Sequence, residues 1–270
     1  VRGRAAFIDS PVATPQTQMS DPGLERYDRH IVLRGIGGQG QNKLRNARVL
    51  VIGAGGLGSP VLSYLAAAGV GTIGVIDDDI VSLSNLQRQV LFDEDQLDMP
   101  KVFAVKAKLN KLNPFVEILP YHRRLTLDDA ENIFDDFDLI IDGTDNFATR
   151  QMVNNASVTT NTPLLSGAIT QWEGQVSLFN AAAEMPCYAC LFPTEPADGL
   201  APDCSQAGVM GALPGIIGSM MATEAIKHIT GAGKNLSGLM LIFDALYGDT
   251  RMLKIKKNPE CTVCGDQNDS

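Results

Sequence analysis

Residues 49–76, VLVIGAGGLGSPVLSYLAAAGVGTIGVI, form a run of 28 positions without one charged side chain, and the run ends on Asp77. A stretch that long either crosses a membrane or lies at the centre of a folded domain. Its seven glycines and its strand-like ends point to the second. Residues 49–52 are four apolar side chains, three of them β-branched, as suits a strand covered on both faces. Gly53, Gly55 and Gly58 follow at once. The first allows a tight turn, the second a close backbone approach to a phosphate, and the third tight packing of the next helix on the sheet. Pro60 falls where a first helical turn tolerates it, and Val61, Leu62, Leu65 and Ala66 make a helical stripe that stops at Gly69. A second strand over 72–76 ends at Asp77, 19 residues after Gly58. Strand, glycine turn, helix, strand and acid in this order predict a nucleotide-binding βαβ unit. A glycine-rich packing unit with no ligand is the plainer alternative.

Apolar strand-like runs alternate with helical patterns to about residue 180, which predicts a Rossmann-like, doubly wound and mostly parallel α/β sheet. Residues 138–146, DLIIDGTDN, read as another buried strand ending in an acidic loop, with a helix following in NFATRQMVNNASVTT. Ligands of such sheets sit beyond the carboxyl ends of the strands, so Asp77, Asp142 and Asp145 are expected to face one crevice. From residue 162 the pattern shifts to strands such as QVSLFN, a Gly/Pro-rich loop, a long helix over about 214–229, and the strands LMLIFD and MLKIKK, which extend the sheet. Residues 1–22 read as a flexible extension. Residues 23–270 read as a single domain, with a nucleotide-binding half over about 45–160 and a second half over about 161–265.

With 22 basic and 31 acidic residues the net charge is −9, which argues against a nucleic-acid surface while leaving room for a local basic pocket. No secretory pattern is visible near the start, and the expected location is the cytoplasm, with no membrane partner.

An acid after the second strand could hold the ribose of NAD or of ATP, so Asp77 does not choose between them. The residues beyond it do. DDDIVSLSNLQRQ places Asn85 and Arg88 just past that strand, and MPKV adds Lys101. With Asp145 these give two cations, an amide and a metal-binding carboxylate for one phosphate chain, which suits phosphate-transfer chemistry better than hydride transfer. Singly, each has an ordinary reading: a cap for Asn85, solvated charges for Arg88 and Lys101, a turn former for Asp145. The three histidines, His30, His122 and His228, belong to no recognisable nucleophile or metal arrangement and read as structural or surface residues.

Two C-x-x-C knuckles, Cys187 with Cys190 and Cys261 with Cys264, suit a tetrahedral structural zinc site that clips the end of the chain to the second half. A redox pair is the competing reading. Cys204, in DGLAPDCSQAGVMG, reads equally as an inert small side chain or an accessible thiol.

Taken together, the glycines, SLSNLQRQ, Lys101, DGTDN, both knuckles, SQAGVMG and the upstream RYDRHIVL resemble the ubiquitin-activating-like adenylyltransferases of the ThiF/MoeB/HesA family, over roughly residues 24–265. The resemblance implies a homodimer with one structural Zn²⁺ per chain, using ATP and Mg²⁺ to adenylate the C-terminal glycine of a small ubiquitin-like sulfur-carrier protein ending in Gly-Gly. It implies that Asp77, with Asp79 beside it, holds the ribose, and that Gly53, Gly55, Gly56 and Gly58 cradle the phosphates. Arg88 and Lys101 would meet the charge developing at the α-phosphate, with Asn85 assisting. Asp145, next to Asn146, would hold magnesium, and Arg29 would reach in from the partner subunit. Cys204 matches the family's loop thiol, which in some members links covalently to the carrier. No sulfurtransferase domain is recognisable, so a separate sulfur donor is expected. The segment LFPTEPADGLAPDCSQAGVMGALPG leans towards the molybdopterin-synthase branch over the thiazole branch. An NAD-dependent oxidoreductase and a non-catalytic zinc-bearing scaffold are the readings from other classes.

Overall fold

The computed structural model describes residues 22–195 and 208–265. Two helices, α1 (Pro22–Ile31) and α2 (Gly37–Asn46), precede the first strand, β1 (Arg48–Ile52). The predicted βαβ unit follows as α3 (Gly58–Ala68) and β2 (Thr72–Ile76). Gly69 ends α3 in the left-handed conformation at φ 79°. The chain continues through α4 (Lys101–Leu112), β3 (Glu117–Tyr121), α5 (Leu127–Phe134), β4 (Leu139–Asp142) and α6 (Phe147–Thr159). Then come β5 (Leu164–Thr170), β6 (Glu173–Phe179), α7 (Tyr188–Leu191), α8 (Leu213–Thr230), β7 (Leu239–Asp244) and β8 (Asp249–Lys254).

The described strands form one eight-stranded sheet in the order β3-β2-β1-β4-β5-β6-β7-β8. Pairing is parallel from β3 across to β5 and antiparallel beyond it. The change is local in origin. Parallel neighbours need a crossover, which the helices supply, whereas β5 and β6 are joined by a tight turn through Gln171 at φ 41°. From β1 the chain winds outward to β2 and β3, then returns to the other side of β1 as β4. The strand order therefore reverses between β1 and β4, and a crevice opens beyond their carboxyl ends.

Both sheet faces are covered, as the uncharged runs require. Val49 and Val51 pack with Leu62, Leu65, Val105, Ile217 and Met221 on one face. Leu50 and Ile52, one residue out of phase, pack with Phe134, Ile140 and Val153 on the other. No helix among the described residues is long and apolar enough to cross a membrane.

Two expectations shift. The strand sought in MLKIKK begins three residues earlier, at Asp249, and ends at Lys254; the Ile255 amide still donates to the Gly238 carbonyl at 2.9 Å, one step beyond the Leu239–Lys254 pair, but Gly238 stands at φ 70° and β7 begins only after it. Pro22, assigned to the N-terminal extension, opens α1, and residues 1–21 lie outside the described part.

Candidate active site

The loop after β1 is shaped by two glycines. Gly53 sits at φ 90°, a conformation that L side chains rarely adopt. A Cβ on Gly58 would lie 2.0 Å from the Gly53 carbonyl oxygen, so α3 can start this close to the strand only from glycine. Gly56 backs onto Pro214 of α8, which a Cβ would meet at 3.1 Å, whereas a Cβ on Gly55 would make only ordinary contact with Gln89. The loop is tied down by Asp77. Its Oδ2 accepts from the Ala54 amide at 2.7 Å and its Oδ1 from the Asp79 amide at 2.8 Å. Burial pushes the Asp77 carboxyl above its ordinary value, opposed by the charge of Lys101 and by these two amides.

A crevice of about 380 Å³ opens over this loop, and Gly53, Gly55, Gly56, Asp77, Asp79, Asn85, Arg88, Lys101, Asp145 and Asn146 all line it. Lys101 is no solvated charge. Only 3% of its side chain is exposed, and its Nζ lies 2.8 Å from Asp79 Oδ2, on a carboxylate that is 68% exposed. Its backbone amide also donates to the Asp79 carbonyl at 3.0 Å. The half-buried Arg88 is braced by donation to the Ser84 carbonyl at 3.2 Å. Asn85 ends the short 3-10 turn Leu83–Asn85 that starts this segment.

Further lining residues escaped the sequence reading: Gln89, Arg123, Arg124 and Arg150. The two arginines of HRRL follow β3, which is parallel to β2, so the rule that ligands gather at strand carboxyl ends could have found them. Gln89 carried no such signal. It is 3% exposed, and its Oε1 is buried without a hydrogen-bond partner among the described residues.

Asp142 corrects the expectation of three acids facing one crevice. It is fully buried and does not line the cavity, because the last residue of β4 points into the protein. Its Oδ1 accepts from the Thr144 amide at 3.0 Å and the Thr144 hydroxyl at 2.7 Å. Burial pushes this carboxyl up, against the pull of the Arg150 charge and the Thr144 hydrogen bonds. Asp145 is exposed at the crevice wall, and Asn146 beside it caps α6 by accepting from the Thr149 amide at 2.8 Å. Gly58 lies beneath the loop and Arg29, exposed on α1, is not among the lining residues. Cys204 lies outside the described residues. His30 meets Gln41 at 3.2 Å and His122 meets the Asp78 carbonyl at 3.3 Å.

The two knuckles converge although 74 residues separate Cys187 from Cys261. Their Sγ atoms all lie within 4.8 Å of one another, at 4.0 Å for Cys187 and Cys190, 3.7 Å for Cys187 and Cys261, and 3.4 Å for Cys190 and Cys264. These separations are far from the ~2.05 Å of a disulfide and match sulfurs set tetrahedrally at ~2.3 Å about one ion. Burial pushes the Cys187 thiol up and lifts Cys264 to about 11, while at Cys261 hydrogen bonds, those of the Cys264 and Val263 amides foremost, outweigh burial and bring the thiol down; a cation at the centre would hold all four as thiolates. The donor set fits Zn²⁺.

A family model described as the ThiF family matches residues 27–263. The Sulfur carrier protein adenylyltransferase of Thermus thermophilus is 48% identical over 248 residues, covering 90% of this chain and 92% of that protein. The SAMP-activating enzyme E1 of Haloferax volcanii is 42% identical over 243 residues, covering 90% of this chain and 89% of that one. Adenylyltransferase and sulfurtransferase MOCS3 of Xenopus laevis is 44% identical over 253 residues, and this chain spans 56% of its length. Among solved structures, E. coli MccB crystallised with AMPCPP and MccA has a TM-score of 0.79 at 24% identity, covering 89% of this chain and 74% of that one, a likeness of fold.

Proposed function

The chain belongs to the ThiF family, and from that premise we propose that it adenylates the C-terminal glycine of a small ubiquitin-like sulfur-carrier protein with ATP. The observation that carries this reading is the crevice at the β1/β4 reversal, where the buried Lys101, Arg88 and Asn85 share one cavity with the exposed carboxylate of Asp145. In the step proposed, a carboxylate oxygen of the carrier's terminal glycine bonds to the α-phosphorus of ATP. The bond from that phosphorus to the bridging oxygen breaks, and pyrophosphate leaves with the electron pair. The nucleophile is already ionised at neutral pH, since a terminal carboxyl titrates near ~3.5, so no general base is needed. That agrees with a cavity lined by no histidine.

Lys101 and Arg88 stabilise the charge that builds on the phosphate oxygens, and the Asp79 pairing keeps the Lys101 ammonium aimed while its stem is buried. Asp145 would hold Mg²⁺, which when bound neutralises phosphate charge.

Three finer points belong to the same proposal. The pathway is sulfur transfer for molybdenum-cofactor biosynthesis, with the thiazole carrier as second reading, on the resemblance of residues 191–215. The sulfur donor is a separate protein, and Cys204 is the thiol that takes the activated carrier, its thiolate sulfur bonding to the terminal glycine carbonyl carbon as AMP leaves. The enzyme acts as a homodimer in which Arg29 serves the neighbouring crevice.

The test is carrier-dependent exchange of pyrophosphate into ATP with a panel of carriers ending in Gly-Gly. Exchange with one or more carriers, and no binding of NAD, is expected. Lys101→Ala and Arg88→Ala should each slow it about 10²-fold or more, the scale for losing a preorganised electrostatic group. Unchanged rates in both would remove these residues from the mechanism. Cys204→Ala should leave exchange nearly intact, since attack on phosphorus by a carboxylate uses no thiolate, and a collapse of exchange in that folded variant would overturn the role given to Cys204.

A further inference from the structure

Helix α6 touches both sites. Its first turns line the nucleotide crevice through Thr149 and Arg150. One turn further on, Asn154, 1% exposed, accepts from the Tyr188 amide at 2.8 Å and donates to Cys187 Sγ at 3.7 Å. Gln151 donates to the Phe192 carbonyl at 2.5 Å. The helix is thereby fastened to the segment that carries the first cysteine knuckle.

Arg150 and Tyr188 close this link on the crevice side. Tyr188 stands between Cys187 and Cys190, is 5% exposed, and is boxed by Phe147, Phe179 and Phe192 at 6.3, 5.7 and 4.8 Å between ring centres. Burial pushes its phenol above the ordinary value, opposed by the charge of the Arg150 guanidinium, which also faces the buried Asp142. From there Arg150 donates twice to the Thr144 carbonyl, from Nε at 3.2 Å and from a terminal nitrogen at 2.6 Å. Asp142 holds the same residue by its amide and hydroxyl. Thr144 is thus gripped at carbonyl, amide and hydroxyl, immediately before Asp145. A guanidinium so committed is not available to clamp phosphate, even though it lies at the cavity wall.

We propose that Arg150 and Tyr188 are positioning residues that hold loop 143–146, and with it Asp145, in register with the four-cysteine cluster. The assignment of Asp145 to the nucleotide rests on the function proposed above. The grip on the loop does not. A fixed loop costs less to order when nucleotide binds, and small displacements of a positioned group are expensive in affinity and rate. The cysteine cluster then does more than staple the chain: it fixes the far end of the lever that sets the crevice wall.

Tyr188→Phe removes the phenolic oxygen and keeps the ring in its box, and Arg150→Gln removes the guanidinium. Arg150→Lys keeps the charge without the fork. Three measurements are made on full-length, metal-replete protein: amide hydrogen exchange over peptides covering 143–149, calorimetric binding of ATP with Mg²⁺, and metal content. In Tyr188→Phe and Arg150→Gln, exchange at the Thr144 amide should quicken and nucleotide affinity should fall, each by about tenfold, the scale of one hydrogen bond to a charged group. β1 and β2 should exchange as before, metal content should stay constant, and Arg150→Lys should lie between. Exchange over 143–149 that is unchanged, or that rises uniformly along the chain, overturns the proposal. If wild-type protein shows no exchange of pyrophosphate into ATP with any carrier while loop 143–149 still responds, the proposed function fails and the positioning role stands.

Discussion

Gly58 and Gly55 share one loop yet answer to different constraints, and the difference can be measured. A Cβ on Gly58 would enter the backbone, 2.0 Å from the Gly53 carbonyl oxygen, and neither partner is the movable end of a side chain. Gly58→Ala should therefore cost stability on the scale of overpacking, about 1–3 kcal/mol or more. A Cβ on Gly55 meets only Gln89 Nε2, at 3.6 Å, on the side that faces the crevice. Gly55→Ala should leave the melting temperature within about a degree, as a surface change does, while filling the space through which backbone approaches phosphate. Thermal unfolding and ATP titration of both variants check this. Equal melting temperatures for the two, or undiminished ATP binding by Gly55→Ala, would contradict it. Charge type alone misleads at this scale. Nothing in the letters MPKV says that the Lys101 side chain is 3% exposed or that its partner is Asp79, a residue 22 positions away brought alongside by the turn after β2.

At the scale of elements, α8 presses against the nucleotide loop at one end and carries a half-buried His228 in its last turn at the other. Burial disfavours the imidazolium and lowers the pKa of this ring below its ordinary value, so burial outweighs the helix C-terminus, which would favour the cation. Well above about pH 6.5 the ring is neutral folded and unfolded, and it contributes no pH dependence. As pH falls below that, the unfolded chain takes up the proton first. Stability is then lost until the folded ring protonates too. Urea unfolding across this range should show wild type losing stability relative to His228→Gln as the solution is acidified, and parallel curves would refute the assignment. The elements legible in the sequence were those where burial leaves a pattern. β1, β2 and β4 are apolar runs between turn signals, and their order placed the crevice. β8 was read from MLKIKK but out of register, its start at Asp249 unmarked because all six of its residues are exposed at the sheet edge, and α7, four residues long, is too short for any periodicity. The cysteine knuckles were legible from chemistry alone. Asp142 was misjudged because a strand-end acid reads the same whether it faces the ligand or the core, and only the alternation set by Ile140 and its neighbours decides.

For the whole molecule, the anchoring of α1 decides which crevice Arg29 can reach. Helix α1 is anchored by Tyr27, 8% exposed, whose ring lies where a Cβ on Gly69 would stand and whose hydroxyl accepts from Asn113 Nδ2 at 2.8 Å. Arg26 adds a donation to the Leu112 carbonyl at 2.9 Å. Gly69 and Asn113 follow the carboxyl ends of α3 and α4, which run back against the strands. They therefore lie at the end of the sheet opposite the crevice, a strand length of roughly 15–17 Å away. Two residues from Tyr27, Arg29 is held by the same anchor and is not aimed into its own chain's cavity. In the homodimer proposed above it serves the neighbouring crevice across the twofold axis. Arg29→Ala and Asp145→Asn homodimers should then both be nearly inactive, since every crevice lacks one charge. In a mixed dimer one crevice collects both defects, while the other draws a normal Asp145 from its own chain and a normal Arg29 from its neighbour. With random exchange about half the dimers are mixed and one of their two sites is intact, so about one quarter of wild-type activity should return. Co-expression of the two variants under separate tags isolates the mixed species, in which about one half of wild-type activity is expected because one site of every dimer is intact, and pyrophosphate exchange reads the result. Verified mixed dimers no more active than either parent would mean that Arg29 plays no part in a neighbouring site.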